Sequence, residues 1–183
     1  MVGLKISIIV PCYNAEKWIK QSLHSALTQT YQDVEVIFVD NESTDESLQI
    51  AKSVQEEFPS LIISTAPNLY RYSWEEPVEE ALKHASGDFF TILGADDYID
   101  NSYVENIASI LRAGNGRIKL LQTPMRGVDS DKGIFLDEIK HSYKNLEEFK
   151  KMLFERCPVT TPTVVYARSL HQQGLIRWNS EVI

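Results

Sequence analysis

The first half of the chain alternates short, mainly apolar runs with segments in which apolar residues recur at helical spacing. Four of the runs have strand length, and the first of them is apolar on both faces, which is typical of a parallel strand covered by helices on two sides. They occupy residues 6–10, 34–39, 61–65 and 88–93. Because helical segments separate the runs, the pattern predicts an α/β fold, with a mainly parallel central sheet, right-handed crossovers and helices on both faces.

The first two helical segments carry start signals. Asn14 is a favourable N-cap for a helix over 15–28, whose buried stripe includes Trp18. Ser43 and Glu46 have the spacing of a capping box, in which two side chains satisfy free amides at the start of a second helix. We therefore expect both helices to begin soon after the preceding strands end.

Later elements are marked less clearly. A third helix is predicted from Pro77 to residue 85, with Gly87 as its C-cap. Beyond residue 95 the periodicity weakens, and residues 125–140 form a polar stretch without a clear element. Helices and strands are still expected at 102–111, 118–122, 146–154 and 163–166.

The size and hydropathy of the chain bound its organisation. Its 183 residues, 43% of them hydrophobic, support one sizeable core, so we expect a single domain. No apolar run reaches the roughly 18 residues of a membrane-spanning helix, and residues 1–10 lack the regions of a secretory signal. These features predict a cytoplasmic protein without a transmembrane segment in this chain; the inner face of the membrane is the alternative location.

Charge and side-chain chemistry exclude several classes of function. The net charge of -8 argues against a nucleic-acid partner, because nucleic acids are bound mainly by basic surfaces. A phosphorylated ligand would then need a divalent cation to bridge its phosphates to carboxylates. Cys12 and Cys157 are too few for a disulfide framework and are predicted to be ordinary thiols. The four histidines have no metal-ligand spacing.

Polar residues follow three of the four predicted strands. In open parallel sheets, ligands bind beyond the carboxyl ends of the strands, where the loops converge. The loop residues in question are 11–14 after the first strand, 40–45 after the second and 94–97 after the fourth. The sequence therefore predicts a binding site along this edge of the sheet.

The carboxylates of these loops have two interpretations each. Asp40 could accept hydrogen bonds from a nucleobase or a ribose, or could organise the turn before the next helix. Adjacent Asp96 and Asp97 would repel each other unless a hard cation bound them, although an Asx turn with a solvated neighbour explains the same pair. The residue types alone leave these alternatives open.

The aromatic residues near the predicted site are equally open to two roles. Tyr13 could stack on a base or pack its loop against the sheet. Tyr70, Tyr72 and Trp74 could line a sugar site or form core beneath a loop. Arg71 lies between them and is the nearest cation that could meet a phosphate.

Three segments, taken in this order, resemble glycosyltransferase family 2, whose α/β fold is called GT-A. They are residues 7–16 (SIIVPCYNAE), Asp40 with Ser43-Thr44-Asp45, and residues 85–97 (ASGDFFTILGADD). The resemblance covers residues 5–98 closely and residues 157–178 more loosely. It implies transfer of a sugar, with inversion, from a UDP- or GDP-sugar donor to a hydroxyl of a glycan or lipid-linked acceptor, in surface polysaccharide or glycan synthesis.

The resemblance also implies the roles of individual residues. Asp96 would hold a Mg²⁺ or Mn²⁺ ion on the diphosphate, and Asp40 would contact the base. The residues implied to bind the nucleotide sugar are Pro11, Tyr13, Asn14, Glu16, Asp40, Asp96 and Asp97.

The chain departs from the family pattern at three places. Gly94 stands where the acidic motif usually begins with an aspartate that contacts the ribose. Asn41-Glu42 replaces an Asp-Gly pair, so the turn after the second strand is expected to differ in shape. Val78 and Glu79 align with an Arg-Asn pair, so the family's donor-sugar contacts are not expected there.

The end of the chain bears on catalysis. Residues 157–174 resemble the stretch that precedes the family's general base, and Glu181 lies too early to be that base. We therefore expect the base beyond Ile183, with residues 1–183 forming one GT-A domain that lacks its C-terminal part. A non-catalytic nucleotide-sugar-binding module is the alternative. A dinucleotide oxidoreductase is disfavoured, because the first turn lacks the glycine-rich fingerprint.

Overall fold

All four predicted strands are present, and they lie side by side in one sheet. The computed structural model describes residues 3–68, 75–129, 132, 134–139 and 163–176. The strands are β1 (Ile6–Cys12), β2 (Val34–Asp40), β3 (Ile62–Thr65) and β4 (Phe89–Ile92). β1 pairs with β2 and β4, and β2 pairs with β3, all in parallel, which confirms the predicted parallel core of the sheet.

Four later strands complete the described sheets. They are β5 (Leu120–Gln122), β6 (Met125–Asp129), β7 (Ile134–Ile139) and β8 (Val164–Ala167). β8 lies antiparallel between β4 and β5, so the order of the main sheet is β3-β2-β1-β4-β8-β5. β6 and β7 form a separate antiparallel ribbon in the stretch for which the sequence predicted no clear element.

Helices cover both faces of the main sheet, as predicted. The described helices are α1 (Ile19–Leu27), α2 (Ser47–Glu57), α3 (Glu75–His84), α4 (Tyr103–Ala113) and α5 (Arg168–Gln172). Buried residues of α1, α2 and α4 share one apolar cluster, and those of α3 belong to another. Within the described ranges, none of the helices has the length and apolarity needed to span a membrane.

The continuous apolar run of β1 reflects this two-sided burial. Ile8 and Val10 pack in the cluster that contains α1, α2 and α4, whereas Ile9 packs in the cluster that contains α3. All three side chains are completely buried. A strand with a water-facing side would alternate apolar and polar residues, and β1 has no such side.

The first helix begins four residues later than predicted. Asn14 has a φ of 51°, a left-handed conformation, whereas an N-cap residue normally adopts an extended one. Its side chain does not cap α1 but accepts a hydrogen bond from the amide of Thr44 at 2.7 Å. Because Trp18 precedes the helix, it does not join the buried stripe and is 44% exposed. The prediction of a core role for Trp18 was wrong.

The predicted capping box of the second helix was also wrong. α2 begins at Ser47, and the carboxylate of Asp45 accepts hydrogen bonds from both the amide and the hydroxyl of that residue. Ser43 Oγ instead accepts the amide of Asn14 at 3.1 Å. Both errors have one cause: the loops after β1 and β2 bind each other, so their polar groups are used between loops rather than within a helix.

A partly buried carboxylate holds the amino end of the sheet together. Glu35 accepts hydrogen bonds from the hydroxyl of Ser7, from the amides of Ser86 and Gly87, and from the Ser86 hydroxyl, and it pairs with Lys5 at 2.7 Å. Burial alone raises the pKa of Glu35, but the hydrogen bonds from Lys5, Ser7 and Ser86 outweigh it and lower the pKa to about 2.

Gly87 contributes its amide to this contact with Glu35 and is not the C-cap that the sequence predicted. It follows α3 by three residues and is not among the described glycines with positive φ. A Cβ atom on Gly87 would lie 2.5 Å from the Ser7 hydroxyl and 2.8 Å from its amide nitrogen. The reason for a glycine here is therefore the close approach of β1, which no local pattern reveals. The helix predicted at 146–154 lies outside the described residues.

Candidate functional site

The ends of β1 and β4 form the walls of a pocket at the carboxyl edge of the sheet. Its volume is about 450 Å³. Its lining residues come from the end of β1, the end of β4 and the segments that follow these strands; they are Pro11, Tyr13, Asn14, Ala15, Trp18, Ile92, Gly94, Ala95, Asp96 and Asp97. We call this the first pocket. It brings together five of the seven residues predicted to bind a nucleotide sugar: Pro11, Tyr13, Asn14, Asp96 and Asp97.

Two aromatic side chains border the first pocket. Tyr13 is 40% exposed and Trp18 is 44% exposed, and the ammonium of Lys17 lies over the Trp18 ring, 5.9 Å from its centroid. Sequence reasoning missed Trp18 because its spacing to Ile19 and Leu23 matched a buried helical stripe. The neighbouring charged residues Glu16 and Lys17 were the signal that the chain is still at the surface here.

Hydrogen bonds between the loops after β1 and β2 hold Tyr13 and its neighbours in place. Asn14 Oδ1 accepts the amide of Thr44, and the hydroxyl of Ser43 accepts the amide of Asn14. Glu16 does not line the pocket: its carboxylate accepts the amide of Glu46 at 3.1 Å, at the beginning of α2. The structure therefore gives Glu16 a loop-bridging contact, whereas Asn14 both bridges the loops and lines the pocket.

Asp40 lies at the adjacent strand end but not in the lining of the first pocket. It is opposite Cys12 in the pairing of β1 with β2, and it is only 3% exposed. Its Oδ2 accepts the amide of Ser43 at 3.1 Å, which is the turn-organising contact considered from the sequence. Its Oδ1 is buried without a hydrogen-bond partner among the described residues. A buried carboxylate oxygen of this kind is an acceptor with unused capacity.

Asp96 and Asp97 lie on the boundary between two pockets. Both line the first pocket, and both line a second pocket of about 380 Å³ on the side of β6 and β7. Burial raises the pKa of Asp97, and the negative charge of Asp96 raises it further. Two carboxylates that repel in this way gain from a bound cation.

Gly94 gives these carboxylates their position. A Cβ atom on Gly94 would lie 2.6 Å from Asp97 Oδ2 and 3.0 Å from Asp96 Oδ1. The space that a side chain would occupy at position 94 is thus taken by the two carboxylates. The glycine that replaces the family's usual aspartate therefore leaves room for the two carboxylates.

The residues present fit a divalent cation that is shared with a substrate. Within the described ranges, no group of three or more His, Cys, Asp or Glu side chains could hold a metal by itself. Mg²⁺, however, is often held by one or two carboxylates, with substrate phosphates and water completing its coordination. Asp96 and Asp97 match that incomplete protein donor set.

Several residues singled out in the sequence are elsewhere. Tyr70, Arg71, Tyr72 and Trp74, together with Cys157 and Glu181, lie outside the described residues. Cys12 is buried, and burial raises the pKa of its thiol to about 11, so it is protonated at neutral pH. This agrees with the prediction of an ordinary buried thiol for Cys12.

Comparison with known proteins identifies relatives of this chain. The chain is 33% identical over 107 residues to glycosyltransferase GlyA of Streptococcus pneumoniae serotype 4, an alignment that covers 58% of this chain and 15% of GlyA. It is 31% identical over 128 residues to the poly(ribitol-phosphate) beta-N-acetylglucosaminyltransferase TarS of Staphylococcus aureus, covering 69% of this chain and 22% of TarS. The chain thus spans less than a quarter of the length of either relative.

Solved structures share the fold. The crystal structure of S. aureus TarS 1–349 in complex with UDP-GlcNAc matches 96% of this chain and 48% of that one, with a TM-score of 0.75 and 26% identity. Mannosyltransferase PcManGT from Pyrobaculum calidifontis, in complex with GDP-Man and Mn²⁺, matches 97% of this chain and 48% of that one, with a TM-score of 0.66 and 19% identity. The second match concerns the fold alone.

The match to a family model extends over most of the chain. The model of Glycosyl transferase family 2 matches residues 7–174, a span that contains both pockets, α5 and all of the parallel strands except Ile6 at the start of β1. The resemblance of the three strand-end segments, the GT-A neighbours and this match agree. The chain belongs to glycosyltransferase family 2.

Proposed function

We propose that this chain forms the donor-binding part of a glycosyltransferase that uses a nucleotide-diphosphate sugar. The single observation that carries the proposal is the first pocket, where aromatic and amide groups after β1 face two carboxylates after β4. A nucleotide sugar needs a surface for its base, polar groups for its ribose and a cation for its diphosphate. The pocket has residues suited to each of these requirements.

The base is proposed to lie on the side of β1 and β2. The partly exposed side chain of Tyr13 lines the pocket together with Pro11 and Asn14, and its ring is proposed to stack on the base. Asp40 is proposed to accept a hydrogen bond from the base through its unpartnered Oδ1. This role does not compete with the turn, because the Ser43 amide is bound by the other oxygen, Oδ2. Glu16 is proposed to act by fixing the loop that carries Tyr13.

The diphosphate is proposed to bind with Mg²⁺ or Mn²⁺ at Asp96. Such a cation, when bound, neutralises the charge that develops on the leaving nucleoside diphosphate. The chain carries a net charge of -8, and the described lining of the first pocket contains no lysine or arginine. Asp96 and Asp97 would therefore repel the diphosphate if the cation were absent. The structure of PcManGT, a neighbour in fold, is a complex with GDP-Man and Mn²⁺.

The acceptor and the stereochemistry are proposed from the family. We infer transfer to a hydroxyl of a glycan or lipid-linked acceptor, with inversion, in polysaccharide assembly in the cytoplasm or at the inner face of the membrane. Two relatives, TarS and a beta-glucosyltransferase of Bacillus spizizenii, are named as transferring sugars to poly(ribitol-phosphate), a polyol-phosphate polymer. A carboxylate general base would take the proton of the acceptor hydroxyl.

The alternative of a non-catalytic binding module has one observation in its favour. Gly94 stands where the family's acidic motif usually has an aspartate that contacts the ribose, so this chain lacks that carboxylate. Hydrolysis of the donor measured with Mn²⁺ distinguishes the two functions. Turnover favours the transferase, whereas tight donor binding without turnover favours the module.

Substitution of Asp96 tests the donor site. The melting temperature of the chain should rise with UDP-GlcNAc or GDP-Man, and rise further with Mn²⁺, because a ligand of the folded state stabilises it. In Asp96→Asn, the Mn²⁺-dependent part of the rise should disappear while the melting temperature without ligand stays close to that of the wild type.

Glu56→Gln is the matched control, since it also removes one negative charge but lies exposed near the far end of α2. It should keep the full Mn²⁺-dependent rise. An equal Mn²⁺-dependent rise in wild type and Asp96→Asn would refute the assignment of Asp96.

A further inference from the structure

The two carboxylates of the first pocket lie in a tight turn over residues 94–97, which we call the acidic turn. The amide of Asp97 donates a hydrogen bond to the carbonyl oxygen of Gly94 at 3.1 Å, and this bond closes the turn. Just before it, the amide of Leu93 donates to the carbonyl oxygen of Ile9 on β1 at 2.8 Å. β1 therefore fixes the position at which the turn begins.

A buried serine of α1 holds the acidic turn from the side of the helix. The hydroxyl of Ser22 donates to the carbonyl oxygen of Gly94 at 3.0 Å, although the two residues are 72 positions apart. Ser22 is completely buried in the apolar stripe of α1 that includes Ile19 and Leu23. A serine inside a helix commonly bonds a carbonyl of its own preceding turn, as Ser25 does with the carbonyl of Ser22. The contact of Ser22 with Gly94 is instead a tie between the helix and the turn.

Ser22 also contacts the wall of the first pocket that follows β1. Its amide donates to the carbonyl oxygen of Trp18 at 3.1 Å, and the side chain of Trp18 lines the pocket. Ser22 thus binds the backbone on both sides of the pocket, at Trp18 through its amide and at Gly94 through its hydroxyl. The placement of the acidic turn relative to Trp18 therefore depends on the Ser22 hydroxyl.

Two more polar side chains hold the segment that follows the acidic turn. Ser25 Oγ accepts the amide of Ile99 at 3.2 Å, and the side-chain amide of Gln29 donates to the carbonyl oxygen of Asp100 at 2.9 Å. Both of these backbone partners lie beyond the turn. Of the three side chains, Ser22 is therefore the one that acts on the turn itself.

The position of the turn matters because the protein supplies an incomplete set of cation ligands. The carboxylates in the described lining of the first pocket are those of Asp96 and Asp97, so the remaining ligands would come from the diphosphate and water. Residues that orient a metal ligand without touching the metal typically change the affinity tenfold to a hundredfold when they are removed. Asp96 lies two residues after Gly94, so a shift of the Gly94 carbonyl would displace its carboxylate.

We propose that Ser22 is a positioning residue of the donor site, whose hydroxyl fixes the acidic turn against the wall that carries Trp18 and so sets the affinity of Asp96 for a divalent cation shared with a nucleoside diphosphate. The inference rests on the proposed function, because it assumes that the acidic turn binds such a cation. Ser22 is not among the described residues that line the pocket, so it acts through the backbone of Gly94 and not on the ligand.

Calorimetric titration of the full chain with UDP and with GDP, each with and without Mn²⁺, tests the proposal. In Ser22→Ala, the affinity for the nucleotide that the wild type binds should fall roughly tenfold with Mn²⁺ and by less than about twofold without it, since the wall that follows β1 is unchanged. Ser22→Cys has nearly the same size, but its thiol is a weak donor, so it should also lose Mn²⁺-dependent affinity.

Ser7→Ala is the matched control. Ser7 is also completely buried, and its hydroxyl donates to Glu35 at the amino end of the sheet, away from the pocket. This variant should have a lower melting temperature but bind the nucleotide as the wild type does. Amide hydrogen exchange without ligand gives a second measure, because the amide of Asp97 should exchange faster in Ser22→Ala and not in Ser7→Ala.

The inference is overturned if Ser22→Ala or Ser22→Cys binds as tightly as the wild type with Mn²⁺. It is also overturned if Ser22→Ala loses affinity equally with and without Mn²⁺, or if Ser7→Ala loses as much, since the effect would then come from the stability of the fold. A wild type that binds neither nucleotide in a Mn²⁺-dependent way would contradict the proposed function, and this inference with it.

Discussion

At the scale of single residues, the site depends on the absence of a side chain at Gly94. The acidic motif of the family usually begins with an aspartate, and Gly94 replaces it. The structure shows that the space beside the backbone of Gly94 is filled by Asp96 and Asp97, whose oxygens would lie within 3.0 Å of a Cβ atom there. Gly94 therefore does more than remove one carboxylate from the motif. It also leaves the space that the carboxylates of Asp96 and Asp97 occupy.

Substitution of Gly94 should impair donor binding more than stability. In Gly94→Ala the methyl group would displace both carboxylates, which can rotate away at little cost in folding because they end flexible side chains. The affinity for UDP-GlcNAc with Mn²⁺, measured by calorimetry, should fall roughly tenfold, or about 1.4 kcal/mol.

Gly94→Asp provides the second half of this test. It restores the usual family residue but meets the same contacts, so we expect no gain in affinity over the wild type. Tighter binding by Gly94→Asp would contradict a site built around the placement of Asp96 and Asp97. The melting temperatures of both variants indicate whether the fold is preserved.

At the scale of elements, the two loops after β1 and β2 act as one unit. Asn14, Ser43 and Thr44 exchange hydrogen bonds, and the amide of Ala15 donates to Ser47 Oγ at 2.8 Å. These contacts delay the start of α1 and leave Tyr13 and Trp18 at the pocket wall. Capping signals were therefore misleading here, because the same polar residues serve either a helix end or a contact between loops.

The left-handed conformation of Asn14 makes this unit sensitive to substitution. Asn14→Ala removes the acceptor of the Thr44 amide and places alanine at a φ of 51°, so it should lower the free energy of unfolding by about 2 kcal/mol. Asn14→Gly tolerates that φ and loses only the hydrogen bond, so its loss should be smaller. Urea denaturation measures both. Equal losses in the two variants would show that the backbone conformation contributes nothing.

At the scale of the whole molecule, Glu35 joins β1, β2 and the segment before β4. Its pKa of about 2 in the folded protein lies below its ordinary value of 4.5. A lowered pKa means that Glu35 stabilises the fold fully above pH 4.5, and that this contribution declines as the pH falls towards 2.

Glu35→Gln should therefore cost about 2 kcal/mol at pH 7, a figure reduced from the full effect of the pKa because Lys5 is 36% exposed and solvent screens the pair. Urea denaturation from pH 7 to pH 3 should show the difference between wild type and variant shrinking below pH 4.5. A difference that stays constant with pH would contradict the proposed ionic contribution of Glu35.

The sequence by itself determined the parallel core and the loops that bear the site. Residues 6–10 are apolar on both faces, which is expected of a strand between two layers of helices, and the strand-length runs at 34–39, 61–65 and 88–93 are separated by helical patterns. Parallel strands place their carboxyl ends on one edge, so Tyr13, Asp40 and Asp96 could be assigned to that edge without coordinates. These inferences needed only periodicity and strand direction.

Tertiary structure alone decided how these residues are used. The exposure of Trp18, the unpartnered oxygen of Asp40 and the contact of Gly94 with Asp97 each depend on atoms distant along the backbone or on the fold of a loop. The ribbon of β6 and β7 lies in a stretch with no periodicity to predict it. The spacing of apolar residues indicates which face of a helix or strand is apolar. It does not indicate which other element packs on that face, or whether the face stays exposed to a ligand.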